Sequence, residues 1–227
     1  MILASSLLPL AAFLALVLIS AGLYKALLDS PPDYQQGETV RIMYIHVPAA
    51  WMALFIYASM AAAALTGLVW KHVVAELYAK AAAPLGAIFT LICLVTGSLW
   101  GRPMWGTWWV WDARLTSVLI LFFLYLGYMA LSDAFEDEQR GIDAGAGLLL
   151  IGAVNIPIIK FSVDWWNTLH QPASLMRLEG PAIDGSMLVP LFLMAGGFMA
   201  LFTALVLLRL RTEMGLRRLK NFGPEAA

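Results

Sequence analysis

Charge is scarce in this chain, and the scarcity sets its class. Asp, Glu, Lys and Arg make up 13% of the residues, against roughly 25% in a soluble domain. Hydrophobic residues reach 61% and the mean hydropathy is +0.79. This is the composition of an integral membrane protein. Cysteine is almost absent: Cys93 alone, inside an apolar run. That excludes an internal disulfide and any Cys-x-x-Cys for zinc, thiol exchange or covalent haem attachment. No basic patch suits nucleic acid, and the net charge of −1 points to no partner. No G-x-x-x-x-G-K-[ST] phosphate loop occurs, so any ATP used is used by another chain. No Lys or Arg precedes Lys25, and the first apolar run exceeds a signal-peptide core of ~7–15 residues. The run therefore reads as a retained span.

What is present is long apolar runs. A spanning helix needs ~20 mostly apolar residues, and six segments answer to this: about 5–28, 47–70, 81–99, 115–131, 144–160 and 187–208. The expected fold is all-α, a bundle of six transmembrane helices in one membrane domain over 1–227. Pro84, Asn155 and Pro157 mark expected bends or polar contacts. Small residues such as Ala61 to Ala64, Gly145, Gly147, Gly196 and Gly197 suit close helix packing.

Six spans put both termini on one side. The tail over 209–227 carries Arg209, Arg211, Arg217, Arg218 and Lys220 against Glu213 and Glu225. The positive-inside rule makes it a basic cytoplasmic tail. Loops 71–80 and 132–143 then face the cytoplasm, although the second is acidic. Loops 29–46, 100–114 and 161–186 face outward, into the periplasm if the membrane is a bacterial inner one.

Tryptophan is abundant and unevenly placed. Of nine, Trp100, Trp105, Trp108, Trp109 and Trp111 fall within 100–117. With Trp51, Trp165 and Trp166 they belong to the outer side, and Trp70 alone lies near the inner face. Interfacial belts decorate both faces, so the bias argues for an outer site. An apolar aromatic platform at a membrane surface suits a large, flat, amphipathic ligand, and haem is the first such ligand to test.

Three histidines bear on that test. His46 stands where the second span begins, two residues before Pro48, which suits a first helical turn. A helix start favours the neutral imidazole, the metal-binding form. His170 lies in the last outer loop, and His72 is on the opposite side as a solvated residue. Haem iron takes axial imidazoles, and His46 and His170 flank the tryptophan loop in sequence. An interfacial role for each histidine is the competing reading. Haem propionates call for fixed cations, for which arginine's planar fork is suited. Arg41 and Arg114 are the nearer candidates, whereas Arg102 and Arg177 read as solvated surface.

The run Trp105-Gly106-Thr107-Trp108-Trp109-Val110-Trp111-Asp112 resembles the signature W-G-x-x-W-x-W-D of the WWD haem-handling family. The extension Ala113-Arg114-Leu115-Thr116-Ser117 resembles its haem exporter protein C branch, CcmC, of the cytochrome c maturation system. The segments around His46 and His170 are similar to that branch's ligand-histidine regions. The resemblance covers about residues 38 to 210.

It implies a protein that is not an enzyme. Such proteins hold haem b at the periplasmic face of the inner membrane and present it to the haem chaperone CcmE. They work with the ABC ATPase CcmA, its membrane partner CcmB and the single-span CcmD. Carried over by position, His46 and His170 are the axial ligands of the iron. Trp105, Trp108, Trp109, Trp111 and Asp112 form the platform and acceptor surface. The assignment of Arg41 and Arg114 to the propionates rests on the residues above and not on the resemblance. Two other readings compete. A b-type electron-transfer subunit would place histidines within its spans. A solute permease would place charge at mid-depth.

Overall fold

A computed structural model describes residues 2–171, 175 and 180–221, and six helical segments in it are long and apolar enough to cross a membrane. Helix α1 (Ile2–Tyr24) continues through one π turn, Lys25–Asp29. A 3-10 turn, Glu38–Ile42, leads into α2 (Met43–Trp70). Next come α3 (Val73–Trp105) and α4 (Ala113–Asp133). Helices α5 (Glu138–Gly152) and α6 (Asn155–Trp165) together make one spanning segment, and α7 (Gly185–Asn221) closes the bundle. The chain is thus a multi-pass membrane protein.

Helices α2 and α3 form the centre, packed along each other, with α7 against both. Helix α4 lies on α3 and α5, and α1 lies along α7. Helix α1 has room there because two glycines face it or belong to it. A Cβ on Gly197 would come within 2.6 Å of Ile19 Cγ1, and one on Gly22 within 2.8 Å of Met194 Sδ. In a bilayer, where lipid is as apolar as leucine, such close approach is what holds helices together. The outward face of α1 (Leu10, Phe13, Leu16) stays exposed, as a lipid-facing helix requires.

The helices outrun the apolar segments that announce them. Helix α3 ends six residues beyond the run over 81–99, so Trp100 to Trp105 are helical and the loop reduces to 106–112. It stops where Gly106 takes the left-handed conformation (φ 75°) and donates its N–H to the Arg102 carbonyl at 3.1 Å, a glycine C-cap. At its other end α3 begins at Val73, and His72 is its N-cap, with Nδ1 accepting the Ala75 N–H at 3.2 Å. Pro48 lies inside α2 rather than in its first turn, because the 3-10 turn lets α2 start at Met43. The expected break falls at 153–154, between α5 and α6. There Pro157 cannot donate to the Ala153 carbonyl, and Asn155 Nδ2 donates to the Ser117 carbonyl of α4 at 2.8 Å.

Burial of tyrosines organises the middle of the bundle. Tyr125 of α4 is fully buried and donates its hydroxyl to the Ala53 carbonyl of α2 at 2.7 Å. A buried tyrosine needs such a partner. Its ring lies over Gly86 of α3, where a Cβ would overlap it. At the end away from the tryptophans, charged contacts join α3 to α7. Arg209 Nε donates to the Ala81 carbonyl at 3.0 Å, Lys80 pairs with Glu213 at 3.4 Å, and Arg217 lies 3.9 Å from Glu76.

The Gly86 contact predicts an asymmetry between two glycines. Gly86→Ala is expected to destabilise the fold by about 1–3 kcal/mol, the usual cost of overpacking. Gly147→Ala, which meets nothing within 4 Å, is expected to be neutral. Thermal unfolding of the two variants in detergent measures the difference, and equal midpoints would contradict it.

Candidate functional site

His46 projects from the second turn of α2 against α3. Its Nδ1 lies 3.1 Å from the Cys93 carbonyl and 3.1 Å from Thr96 Oγ1. The Thr96 hydroxyl donates to the Ile92 carbonyl at 2.6 Å, with the Cys93 carbonyl at 3.3 Å. Its one proton is thereby committed. Both neighbours of Nδ1 are acceptors, so Nδ1 carries the ring proton and Nε2 keeps its lone pair. This is how second-shell acceptors select the tautomer of a metal-binding histidine.

Close packing confirms the ring's position. A Cβ on Gly97 would stand 2.9 Å from His46 Cε1. Trp100 meets the imidazole edge-on with centroids 5.7 Å apart, and its indole N–H donates to Gln36 Oε1 at 2.9 Å. The turn preceding α2 is thus tied to the end of α3.

His170 reaches the same region from the last loop. Its ring lies 5.1 Å from that of Trp105 at 59°. Nδ1 is buried, has no hydrogen-bond partner among the described residues, and stands 3.9 Å from Asp112 Oδ2. That distance is too long for a hydrogen bond, so Asp112 acts on the ring through charge. Burial pushes the His170 pKa down to about 4, with Arg114 and then His46 contributing and Asp112 opposing. The two histidines are therefore close enough to sense each other's charge, and His170 is neutral at physiological pH.

Asp112 connects the two loops. It is the N-cap of α4, with Oδ1 accepting the Leu115 N–H at 2.8 Å. Oδ2 accepts the Thr168 hydroxyl, and Thr168 Oγ1 in turn accepts the His170 backbone N–H at 3.1 Å. One carboxylate thereby starts a helix and holds the segment that carries His170.

The tryptophans divide into those that pack and those that show. Trp105 is half-buried against His170, and Trp109 is half-buried with its indole N–H enclosed and unpartnered among the described residues. Trp108 and Trp111 are 54% and 75% exposed. Their backbone is braced: Ser98 Oγ donates to the Trp108 carbonyl at 2.7 Å and Thr107 Oγ1 to the Trp109 carbonyl at 3.1 Å. Trp165, Trp166 and Leu169 are exposed as well, in and beyond the last turn of α6. The Arg102 guanidinium lies 5.9 Å from the Trp108 ring centroid.

The two arginines assigned to propionates make protein contacts. Arg41 pairs with Glu38 and donates to the Ala26 carbonyl. Arg114 donates to Ser162 Oγ at 3.3 Å and to the carbonyls of Ile159 and Lys160 at 3.1 and 3.3 Å. Through these contacts it braces the middle of α6 against the start of α4. Arg177 lies outside the described residues. The residues that orient the histidines, Thr96, Gly97 and Thr168, carry no motif. The spacing of Thr168 two positions before His170 is the sole local signal among them.

Six apolar helices, with two imidazoles and a cluster of tryptophans gathered at one end, define a multi-pass membrane protein with a histidine–tryptophan site at the bundle end. A family model described as "Heme exporter protein C" matches residues 1–222. Similar proteins bearing that name occur in Bradyrhizobium diazoefficiens (57% identical, over 94% of this chain and 81% of that one). Those of Haemophilus influenzae (54%; 91% and 84%) and Escherichia coli (52%; 89% and 82%) are similar also. The chain belongs to the haem exporter protein C family.

The buried state of His170 predicts its titration. With its pKa at about 4 against an ordinary 6.5, the imidazole stays neutral at pH 5.5, where a free one is mostly protonated. Ring NMR signals of histidine-labelled protein in detergent report this directly. A protonated His170 at that pH would contradict the burial described.

Proposed function

We propose that the protein holds haem at the tryptophan end of the bundle and delivers it to the haem chaperone CcmE during c-type cytochrome biogenesis. His46 and His170 serve as axial ligands through Nε2. The observation that carries this reading is the pair of constrained imidazoles. They arise from separate elements, each beside a tryptophan of the cluster, and the acceptors around Nδ1 of His46 leave its Nε2 free.

The residues present fit the ligand. A buried N–H without a partner costs about 1–3 kcal/mol. Two ring nitrogens in this region, Trp109 Nε1 and His170 Nδ1, are enclosed and unpartnered among the described residues. An amphipathic ligand with carboxylates supplies an acceptor for the indole N–H. Coordination through Nε2 of His170 would leave its Nδ1–H directed to Asp112, the usual carboxylate–histidine arrangement. Trp105, Trp108, Trp109 and Trp111 offer apolar faces to the macrocycle, and exposed Trp108 and Trp111 suit an acceptor surface. Arg41 and Arg114 are the cations nearest in sequence to the histidine and the tryptophan loop. A propionate on either would share a guanidinium already engaged by the protein.

The cargo is haem b, held non-covalently, since the chain lacks the paired cysteines that attach haem. The tryptophan end faces the periplasm of a bacterial inner membrane, with both termini and the basic end of α7 in the cytoplasm. The protein is a transport component rather than an enzyme. It works beside the ABC ATPase CcmA, the membrane subunit CcmB and the small CcmD. Names of the relatives that say "heme exporter" support a role in haem export. A site with half-exposed walls, one of whose histidines is carried by a loop, suits handover rather than storage.

The test is the yield of covalent haem on CcmE in cells lacking their own copy of the gene. The parent chain is expected to load it. His46→Ala and His170→Ala at matched expression are expected to lower loading by more than about tenfold, the lower bound for even outer-shell partners of a metal site. No loading by the parent would overturn the function. Full loading by both variants would overturn the two-histidine ligation.

A further inference from the structure

The two imidazoles are held by unequal means. His46 is anchored at the ring itself. Its Nδ1 faces two acceptors on α3, each at 3.1 Å, and Gly97 and Trp100 confine it from the sides. Any turn of the ring gives up both hydrogen-bond partners. Helix α2, from which it projects, is one of the two central elements of the bundle.

His170 has no such anchor. Its Nδ1 has no hydrogen-bond partner among the described residues. Its ring contact with Trp105 is apolar and tolerates small displacements. The directional restraint on it runs through the backbone. The His170 N–H is accepted by Thr168 Oγ1 at 3.1 Å, and the Thr168 hydroxyl is donated to Asp112 Oδ2. Asp112 is itself held in place, since Oδ1 caps α4 at Leu115 and its side chain is only 5% exposed. Among the described residues, the rigid part of the protein therefore grips His170 through the Thr168 hydroxyl.

We infer that Thr168 is the positioning residue of a releasable ligand. The Asp112–Thr168–His170 clasp sets His170 on the haem iron, and when the clasp opens His170 leaves first while His46 stays. This rests on the haem-ligation reading above and deepens it. Handover has a defined order: the coordination position on the loop side is vacated to an incoming ligand, and the helix-borne histidine keeps the haem in place until the exchange is complete. The converse order would require the ring with two anchoring acceptors to move before the ring that has none among the described residues.

Thr168→Val removes the hydroxyl at nearly constant shape, and Thr168→Ser keeps it. Asp112→Asn is the second route to the same clasp. An asparagine that keeps its one oxygen for the α4 cap turns an NH2 toward Thr168, so a neutral donor replaces the charged acceptor and the clasp is weakened. The full-length chain is purified with its haem, and three quantities are read: thermal midpoint, absorption spectrum and the rate of haem loss to excess apomyoglobin. The parent and Thr168→Ser are expected to show a six-coordinate, low-spin spectrum.

Thr168→Val and Asp112→Asn are expected to shift toward five-coordinate haem, restored to low spin by added imidazole. Haem loss is expected to rise about ten- to a hundredfold, the range that a hydrogen bond to a charged acceptor supports. A purely structural role would lower the midpoint without the imidazole-reversible change. If the parent is six-coordinate and Thr168→Val keeps its spectrum and release rate, the clasp is refuted while the ligation stands. If Thr96→Val, not Thr168→Val, yields the imidazole-rescued state, the order of release is reversed and the inference falls. A parent without bis-imidazole haem removes the underlying reading itself.

Discussion

The tryptophan end of the molecule depends on the carboxylate of Asp112. Its two oxygens do different work: one begins α4 by taking an orphan backbone N–H, and the other takes the hydroxyl of Thr168. A charged acceptor makes stronger hydrogen bonds than a neutral one, and here both are sheltered, with the side chain 5% exposed. The same group stands 3.9 Å from His170 Nδ1. The end of the tryptophan motif, the start of a membrane helix and the last loop are thus registered to one another through one residue.

The bilayer explains why this registration is built from helix ends. Within the hydrocarbon region each backbone group must be satisfied inside the protein, so irregular structure gathers at the ends of the bundle, apart from the break at 153–154 within the fifth span. Helix α3 carries its tryptophans to that limit and stops at Gly106. Seven residues later α4 departs in the opposite direction. The aromatic loop is short because both its flanks are helical, and a short loop between two packed helices holds its side chains better than a long one. Arg114 extends the bracing to α6 through the carbonyls of Ile159 and Lys160.

The two histidines show how one residue type serves at two levels of rigidity. His46 receives its orientation from an α3 carbonyl and from a threonine whose proton is spent on its own helix. His170 receives its position from a loop hydroxyl. A site that binds a large ligand and gives it up needs both kinds of restraint, since uniform rigidity would trap the ligand and uniform freedom would not orient it.

Much of this was legible in the residues. Apolar runs of spanning length determine six helices because nothing else satisfies so many backbone groups in lipid, and the density of tryptophans with Asp112 marks one end as distinctive. The break near Asn155 and Pro157 followed from a missing donor. Helix bounds were not legible, since hydropathy reports where lipid begins and not where hydrogen bonding stops: α3 continues through Trp100 to Trp105 on the strength of a glycine cap. Nor was the second shell. Thr96 and Thr168 are ordinary threonines in sequence, 50 and 56 positions away from His46 and Asp112 respectively. What the chain alone determined is its class, its spans and the chemistry concentrated at one end, because these depend on composition and local pattern. Which nitrogen of His46 holds the proton, how Arg114 is spent and what grips His170 were decided only by the tertiary structure, because a hydrogen bond is a relation between atoms that folding brings within 3 Å of each other.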